Sequence, residues 1–237
     1  SKKRDFHMHN WILDKKIENT KYLIKDDFEG EFEIIKEVLH IAIYKGNLKI
    51  IELLLSRPEI DINTRIIYKK NAKEKEIESS LHILSTNGNL ELFKIILSKS
   101  NWDLNEKLVD VFQLIGDKNK NIDLKERTLL HNSVINNNFE MFKLLTSHPK
   151  TDINANIIIK IKNNKIKIGT ELHYVVINNK FEYLTILLSL PQINVNAILE
   201  CKSQGNQIIG RKTALHIACS HKNIEIIRLL LKHSNVD

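Results

Sequence analysis

Apolar positions along the chain fall into paired runs separated by a short polar break. LHIAIYKGNLKIIELLLS (residues 39–56) and LHIACSHKNIEIIRLLLK (residues 215–232) each give a short apolar segment, a break, then an amphipathic run. In the second run of the first pair, Leu48, Ile51, Leu54 and Leu55 are spaced as one helical stripe. The pattern predicts helix, tight turn, helix. The break carries Gly46 and Gly88 at one position and Asn137 and Asn179 at its equivalent. Glycine and asparagine tolerate the left-handed backbone that a helix C-terminus commonly needs. Lys222 occupies that position in the last copy and is expected to cost strain.

The unit repeats. Leu-His occurs at His40, His82, His131, His173 and His216, with steps of 42, 49, 42 and 43 residues. The variation is confined to one place. Twenty-one residues after each His comes Asp61, Asp103, Asp152, Asn194 or Asp237, and two further on come Asn63, Asn105, Asn154 and Asn196. A fixed block followed by a variable one therefore recurs five times, and a fixed place in a repeat gives the five histidines a structural role.

These residues resemble the ankyrin repeat, whose signature is T-P-L-H-x-A-A, a Gly turn, an E-I-V-x-L-L-L helix and D-V-N. Thr213–Ala218 and Ile224–Leu231 match it nearly in full. Three residues before each His stand Glu37, Ser79, Thr128, Thr170 and Thr213, so four of five keep the hydroxyl. The resemblance implies that this hydroxyl bonds the His and that the His ties neighbouring repeats together. It implies a mostly α fold, an ankyrin-repeat solenoid of stacked helix-turn-helix units with elongated β-hairpin fingers. One ankyrin-repeat domain is expected over residues 1–237, with five repeats in 36–237. Residues 1–35 read as a degenerate capping repeat, with Tyr22-Leu23-Ile24 on its closing apolar turn, or as a single capping helix. A chain that stops on the block-closing Asp237 reads as a fragment of a longer protein.

A period of about 33 leaves roughly 9, 16, 9 and 10 surplus residues in the four intervals, all before the next hydroxyl position. The resemblance makes these segments extended fingers, and insertions confined to one face often mark the binding face. Residues 64–80 carry +2, 106–128 zero, 155–170 +4 and 197–213 +2, against +7 for the whole chain. The positive excess belongs to the fingers. The most cationic finger contains NIIIKIKNNKIKIG (residues 156–169). A two-residue turn at Asn163-Asn164 would set Lys162 against Lys165, Ile161 against Ile166 and Lys160 against Lys167. That register predicts one isoleucine face, packed on a neighbouring finger, and one lysine face open to solvent or an anionic partner.

The chain has 237 residues, 42% hydrophobic and 27% charged, enough for a packed core. No apolar run reaches the length of a membrane span. Two cysteines cannot make a disulfide framework, so a reducing, cytoplasmic setting is the simplest reading. Cys219 reads as a buried position and Cys201, in a finger, as the more exposed thiol. His216, Cys219 and His221 lie close in sequence, but no further Cys/His group completes a metal site. No phosphate-binding, dinucleotide, zincin or nucleophile-elbow motif occurs, so no enzyme, metal or cofactor is expected.

Surface recognition remains. Four and five residues after each His lie Tyr44 and Lys45, Thr86 and Asn87, Ile135 and Asn136, Ile177 and Asn178, and Ser220 and His221, which vary where the framework does not. In ankyrin proteins such positions commonly contact partners on the concave face. With Lys160, Lys162, Lys165 and Lys167 they form the candidate partner-binding set. The expected function is a monomeric, non-catalytic protein–protein interaction scaffold whose partner is another protein, with acidic character matching the fingers. The alternative is nucleic-acid or other anionic-ligand binding through those fingers. Only Tyr68 and Phe112 put aromatics there, which gives base stacking little support.

Overall fold

The computed structural model describes residues 22–24, 32–36, 38–58, 60–63, 65–70, 73–99, 102–109, 122–161, 165–203 and 207–236. They fall into two compact units, residues 1–102 and 103–237.

In the first unit, β1 (Tyr22–Ile24) and β2 (Phe32–Lys36) precede the helix pair α1 (Val38–Lys45) and α2 (Leu48–Leu55). Then β3 (Arg65–Lys70) and β4 (Lys73–Ser79) precede α3 (Ser80–Asn87) and α4 (Leu90–Lys99). The four strands form one antiparallel sheet in chain order. Tyr22–Ile24 therefore pairs as a strand instead of closing a helix. It stands where every other finger stands, just ahead of a helix pair. Apart from 22–24 and 32–35, residues 1–35, with the reading of a capping repeat or helix there, lie outside the described residues. The core joins Leu39, Ile43, Ile51 and Leu54 in the first pair, and Leu84, Phe93 and Ile96 are fully buried in the second.

The second unit repeats the plan three times. β5 (Leu108–Val109) and β6 (Ile122–Arg127) lead into α5 (Leu129–Ile135) and α6 (Phe139–Ser147). β7 (Ile157–Ile161) and β8 (Lys165–Gly169) lead into α7 (Glu171–Ile177) and α8 (Phe181–Ser189). β9 (Leu199–Lys202) and β10 (Ile208–Lys212) lead into α9 (Ala214–Ser220) and α10 (Ile224–Leu231). Their six strands make a second antiparallel sheet, β5 through β10 in order.

Local chemistry explains the constancy of the block. The turn residues Gly46, Gly88, Asn137, Asn179 and Lys222 all have positive φ, between 54° and 79°. Asn47, Asn89, Asn138 and Asn223 accept the N–H three residues on, capping the second helix of their pairs. At the end of the block the first Asp or Asn accepts the N–H two residues later, as Asp103 does from Asn105 (2.9 Å) and Asp152 from Asn154 (2.9 Å). The following Asn then bridges to the next repeat. Asn105 donates to the Lys150 carbonyl (2.8 Å) and accepts from the Asp152 N–H (2.6 Å). Asn154 does the same with Gln192 and Asn194. An invariant offset in sequence is a pair of hydrogen bonds in space.

The β7–β8 hairpin departs from expectation by one residue. Ile158 pairs with Ile168, Ile159 with Lys167, Lys160 with Ile166 and Ile161 with Lys165, leaving residues 162–164 between the strands. A one-residue shift exchanges every position between faces, so isoleucine and lysine positions are mixed on both. The separate isoleucine and lysine faces do not form. The reason is electrostatic: the expected register stacks lysine against lysine twice, and directly opposed like charges destabilise a pair. The observed one sets each strand lysine against isoleucine, and across the other edge of β7 Lys160 pairs with Asp123 of β6. Ile157 is fully buried and, among the described residues, packs against Ile135 and Tyr174 of the helices.

Candidate interaction surface

The repeat histidines anchor the surface without belonging to it. The hydroxyls of Ser79, Thr128, Thr170 and Thr213 lie 2.7–3.1 Å from Nδ1 of His82, His131, His173 and His216. His40 is buried as well, while its counterpart to these hydroxyls, Glu37, lies outside the described residues. The backbone N–H groups of Thr128 and Thr170 also donate to Nδ1, which fixes the ring proton on Nε2. That Nε2 reaches into the next repeat. In His173 it donates to the Ala197 carbonyl (3.0 Å), and in His131 it lies 3.1 Å from Oε2 of Glu171. Burial lowers the His131 pKa to about 3, with the charges of Lys107 and Arg127 adding to it. Burial lowers His173 to about 4, against backbone hydrogen bonding to Ala197 and Lys212. Both rings are neutral at pH 7 and sealed from solvent, so they are structural.

Glu171 went unremarked in the sequence. It is fully buried at the first position of α7, and burial raises its pKa to about 8. The His131 Nε2 meets Glu171 Oε2 without hydrogen-bond alignment, and neither carboxyl oxygen has a hydrogen-bond partner among the described residues. The helix dipole favours a carboxylate there by only about 0.3–1 kcal/mol, too little to offset full burial. The signal was present: the family signature has proline where this repeat has Glu171.

The positions four and five residues after each His lie at the C-terminal ends of the first helices. Tyr44 is 50% exposed, and Lys45, Thr86 and Asn87 are exposed. Asn136, Ser220 and His221 are exposed, while Ile135, Ile177 and Asn178 are half-buried. Ile135 packs on Ile157, so part of its surface serves the fold. Asn136 and Asn178 each donate their amide to the carbonyl four residues back. Of the finger lysines, Lys162 and the side chains of Lys160 and Lys165 lie outside the described residues.

Four predicted residues come together. Lys167, Ile177, Ser220 and His221 line a cleft of about 100 Å³ with Leu199, Cys201, Lys212 and Ile217. Strand register builds one wall: Lys167 pairs with Cys201, and Lys212 with Leu199. Leu199 and Cys201, two apart on β9, share a face, a period-2 signal the sequence carried. Lys167 reaches them only through strand pairing. The opposite wall comes from the ends of α7 and α9.

The two thiols reverse their expected environments. Cys219 is exposed, whereas Cys201 is half-buried in the cleft. Residues at the place of Cys219 in the other repeats, Ile43, Ser85, Val134 and Val176, are at most 1% exposed. Among the described residues α9 has no further helix pair packed on that side. Also among the described residues, no group of three His, Cys, Asp or Glu side chains is placed to hold a metal ion, and no helix is long and apolar enough to cross a membrane.

Comparison with protein families gives three matches. A model of ankyrin repeats in three copies matches residues 156–237, and single ankyrin-repeat models match residues 125–155 and 38–66. No curated protein matches the chain.

Proposed function

The chain belongs to the ankyrin repeat family, and from that premise we propose that it is a non-catalytic scaffold binding another protein through its first-helix ends and fingers. Ankyrin repeats are generally protein–protein interaction modules, and the chain has their mostly helical fold with antiparallel fingers. The observation that carries the reading is the contrast inside the first helix of the first four repeats. The framework histidines His40, His82, His131 and His173 are at most 2% exposed, while the residues four and five places on reach solvent or line the cleft. A surface that varies beside an invariant buried frame suits partner choice. The partner has acidic character, since the fingers hold the chain's positive excess. The protein works as a monomer in a reducing, cytoplasmic setting, in keeping with its two free thiols.

The test is a pull-down from lysate of the source organism, wild type against Tyr44→Ala/Ile177→Ala, with thermal melts to establish folding. Loss of specific partners from a folded double variant supports the assignment. An unchanged set of partners removes these helix ends from the interface. Tight, steeply salt-dependent binding of generic RNA or DNA in a mobility shift replaces the protein partner with a nucleic acid.

A further inference from the structure

We propose that the cleft between the β8–β10 wall and the ends of α7 and α9 receives one aliphatic side chain flanked by carboxylates, presented by an extended segment of an acidic protein partner; this rests on the protein-binding reading above. Size sets the first limit. The cleft measures about 100 Å³, below the ~300–1,000 Å³ of sites that enclose a small molecule or cofactor. It is also below the ~150 Å³ apolar cavity that holds benzene. A leucine, isoleucine, valine or methionine side chain is the occupant of suitable size.

The two walls differ in chemistry. Ile177 and Ile217 come from the helices, with Leu199 and Cys201 on the strand side of the floor. Lys167 and Lys212 both come from strands and stand on either side of β9, each as the cross-strand partner of a floor residue. No carboxylate lines the cleft. The nearest acid in the chain on that wall, Glu200, lies between Leu199 and Cys201 and so belongs to the other face of β9. There Arg211 (3.2 Å) and Lys202 (3.6 Å) already engage it. No described residue makes an ion pair with Lys167 or Lys212. Two ammonium groups with no ion-pair partner among the described residues, lining a cleft with an apolar floor, match an aliphatic residue flanked by acids. Residues two apart in an extended segment point to the same side, so carboxylates two positions before and after the buried residue face the protein beside it, within reach of the lysines. The apolar contact supplies affinity and the lysines supply orientation and association rate.

The experiment uses the whole chain, 15N-labelled, and three short fluorescent peptides. One has leucine between two pairs of glutamates, one replaces leucine with serine, and one replaces the glutamates with lysines. The first peptide is expected to bind, to shift the amides of Lys167, Ile177, Leu199, Cys201, Lys212 and Ile217, and to weaken at least tenfold between 50 and 300 mM salt. The serine and lysine peptides are expected to bind at least tenfold more weakly. Lys167→Glu/Lys212→Glu is expected to weaken the first peptide tenfold or more with an unchanged melt; Lys167→Ala serves where the double reversal does not fold. Equal binding of the leucine and serine peptides, or of an oligo-dT strand, makes the cleft a generic cationic face and overturns the proposal. Shifts confined to other helix ends overturn the cleft alone and leave the scaffold reading standing. The scaffold reading fails separately, when the pull-down partners ignore every helix-end variant.

Discussion

The fourth and fifth repeats carry nearly the same sequence pattern and have different environments. His173 is fully buried and bound to the Ala197 carbonyl; His216, bonded to the same hydroxyl position at 2.8 Å, is exposed. Val176 is 1% exposed and its counterpart Cys219 is exposed. Leu184 is fully buried and its counterpart Ile227 only partly so. The fourth repeat has a helix pair packed on each side within its unit, whereas among the described residues the fifth has one on only one side. The difference teaches that the repeat pattern specifies which positions meet a neighbour, and the neighbour decides what that meeting is worth. In a stacked array, stability is approximately a sum of repeat terms and nearest-neighbour interface terms.

The widest gap between the two repeats should appear in their cores. Leu184→Ala is expected to cost about 2–5 kcal/mol, the range for a fully buried leucine, and Ile227→Ala about half as much or less. Urea unfolding of both variants measures this; equal losses would show that burial by the neighbour is not the deciding term.

Glu171, present in the fourth repeat alone, sharpens the comparison through pH. Its folded pKa of about 8 stands above its ordinary 4.5, so the native state holds the proton that the unfolded chain releases. Its contribution is therefore full below pH 4.5 and is lost as pH rises through 8. The His131 contribution runs the other way, present above 6.5 and lost as pH falls towards 3. The two slopes oppose each other between 4.5 and 6.5, which leaves 6.5–8 as the clean window. Wild type should lose about 1–2 kcal/mol across it, and Glu171→Ala should be flat there. The variant should also be more stable at pH 8 by about 1–3 kcal/mol, having lost a buried unaligned carboxyl. Parallel pH profiles for the two proteins would refute the assignment.

The histidines give a smaller contrast. His173→Ala leaves the Ala197 carbonyl and the Thr170 N–H without their partner, a loss of about 1–3 kcal/mol. His216→Ala, at an exposed site, should stay within about 0.5 kcal/mol. Matched thermal melts distinguish the pair. Smallest is the turn. Lys222 holds φ at 56° with a full side chain, so Lys222→Gly should gain about 1 kcal/mol. Asn179→Gly should gain nothing, because the Asn179 side chain accepts from Asn223 (3.0 Å). A gain at Asn179 equal to that at Lys222 would mean the bridge carries no weight.

Much of the fold was legible in the sequence because its determinants are local. A left-handed turn selects Gly or Asn, and a hydroxyl three residues before His can reach Nδ1 within one helical turn. An Asp two residues before Asn closes its own turn. Half of the cleft was legible: Ile177, Ser220 and His221 are marked by their offset in the repeat, and Lys167 by the charge of its finger. Leu199, Cys201, Lys212 and Ile217 were not, since their meeting with Lys167 and Ile177 depends on which strand lies beside which.

The sequence by itself therefore determined the five blocks, their helix pairs, the left-handed turns and the hydroxyl–histidine bonds, all built within a few residues of chain. Only the tertiary structure decided the register of β7 against β8, the neutral burial of Glu171 against His131, and the exposure of Cys219 in place of Cys201. Each of these is set by what packs against a residue from another repeat. The same residue type at the same repeat offset can be sealed or open, and the charge on a neighbouring strand can move a register by one. Those are energies of juxtaposition, and a linear pattern holds them only once it has folded.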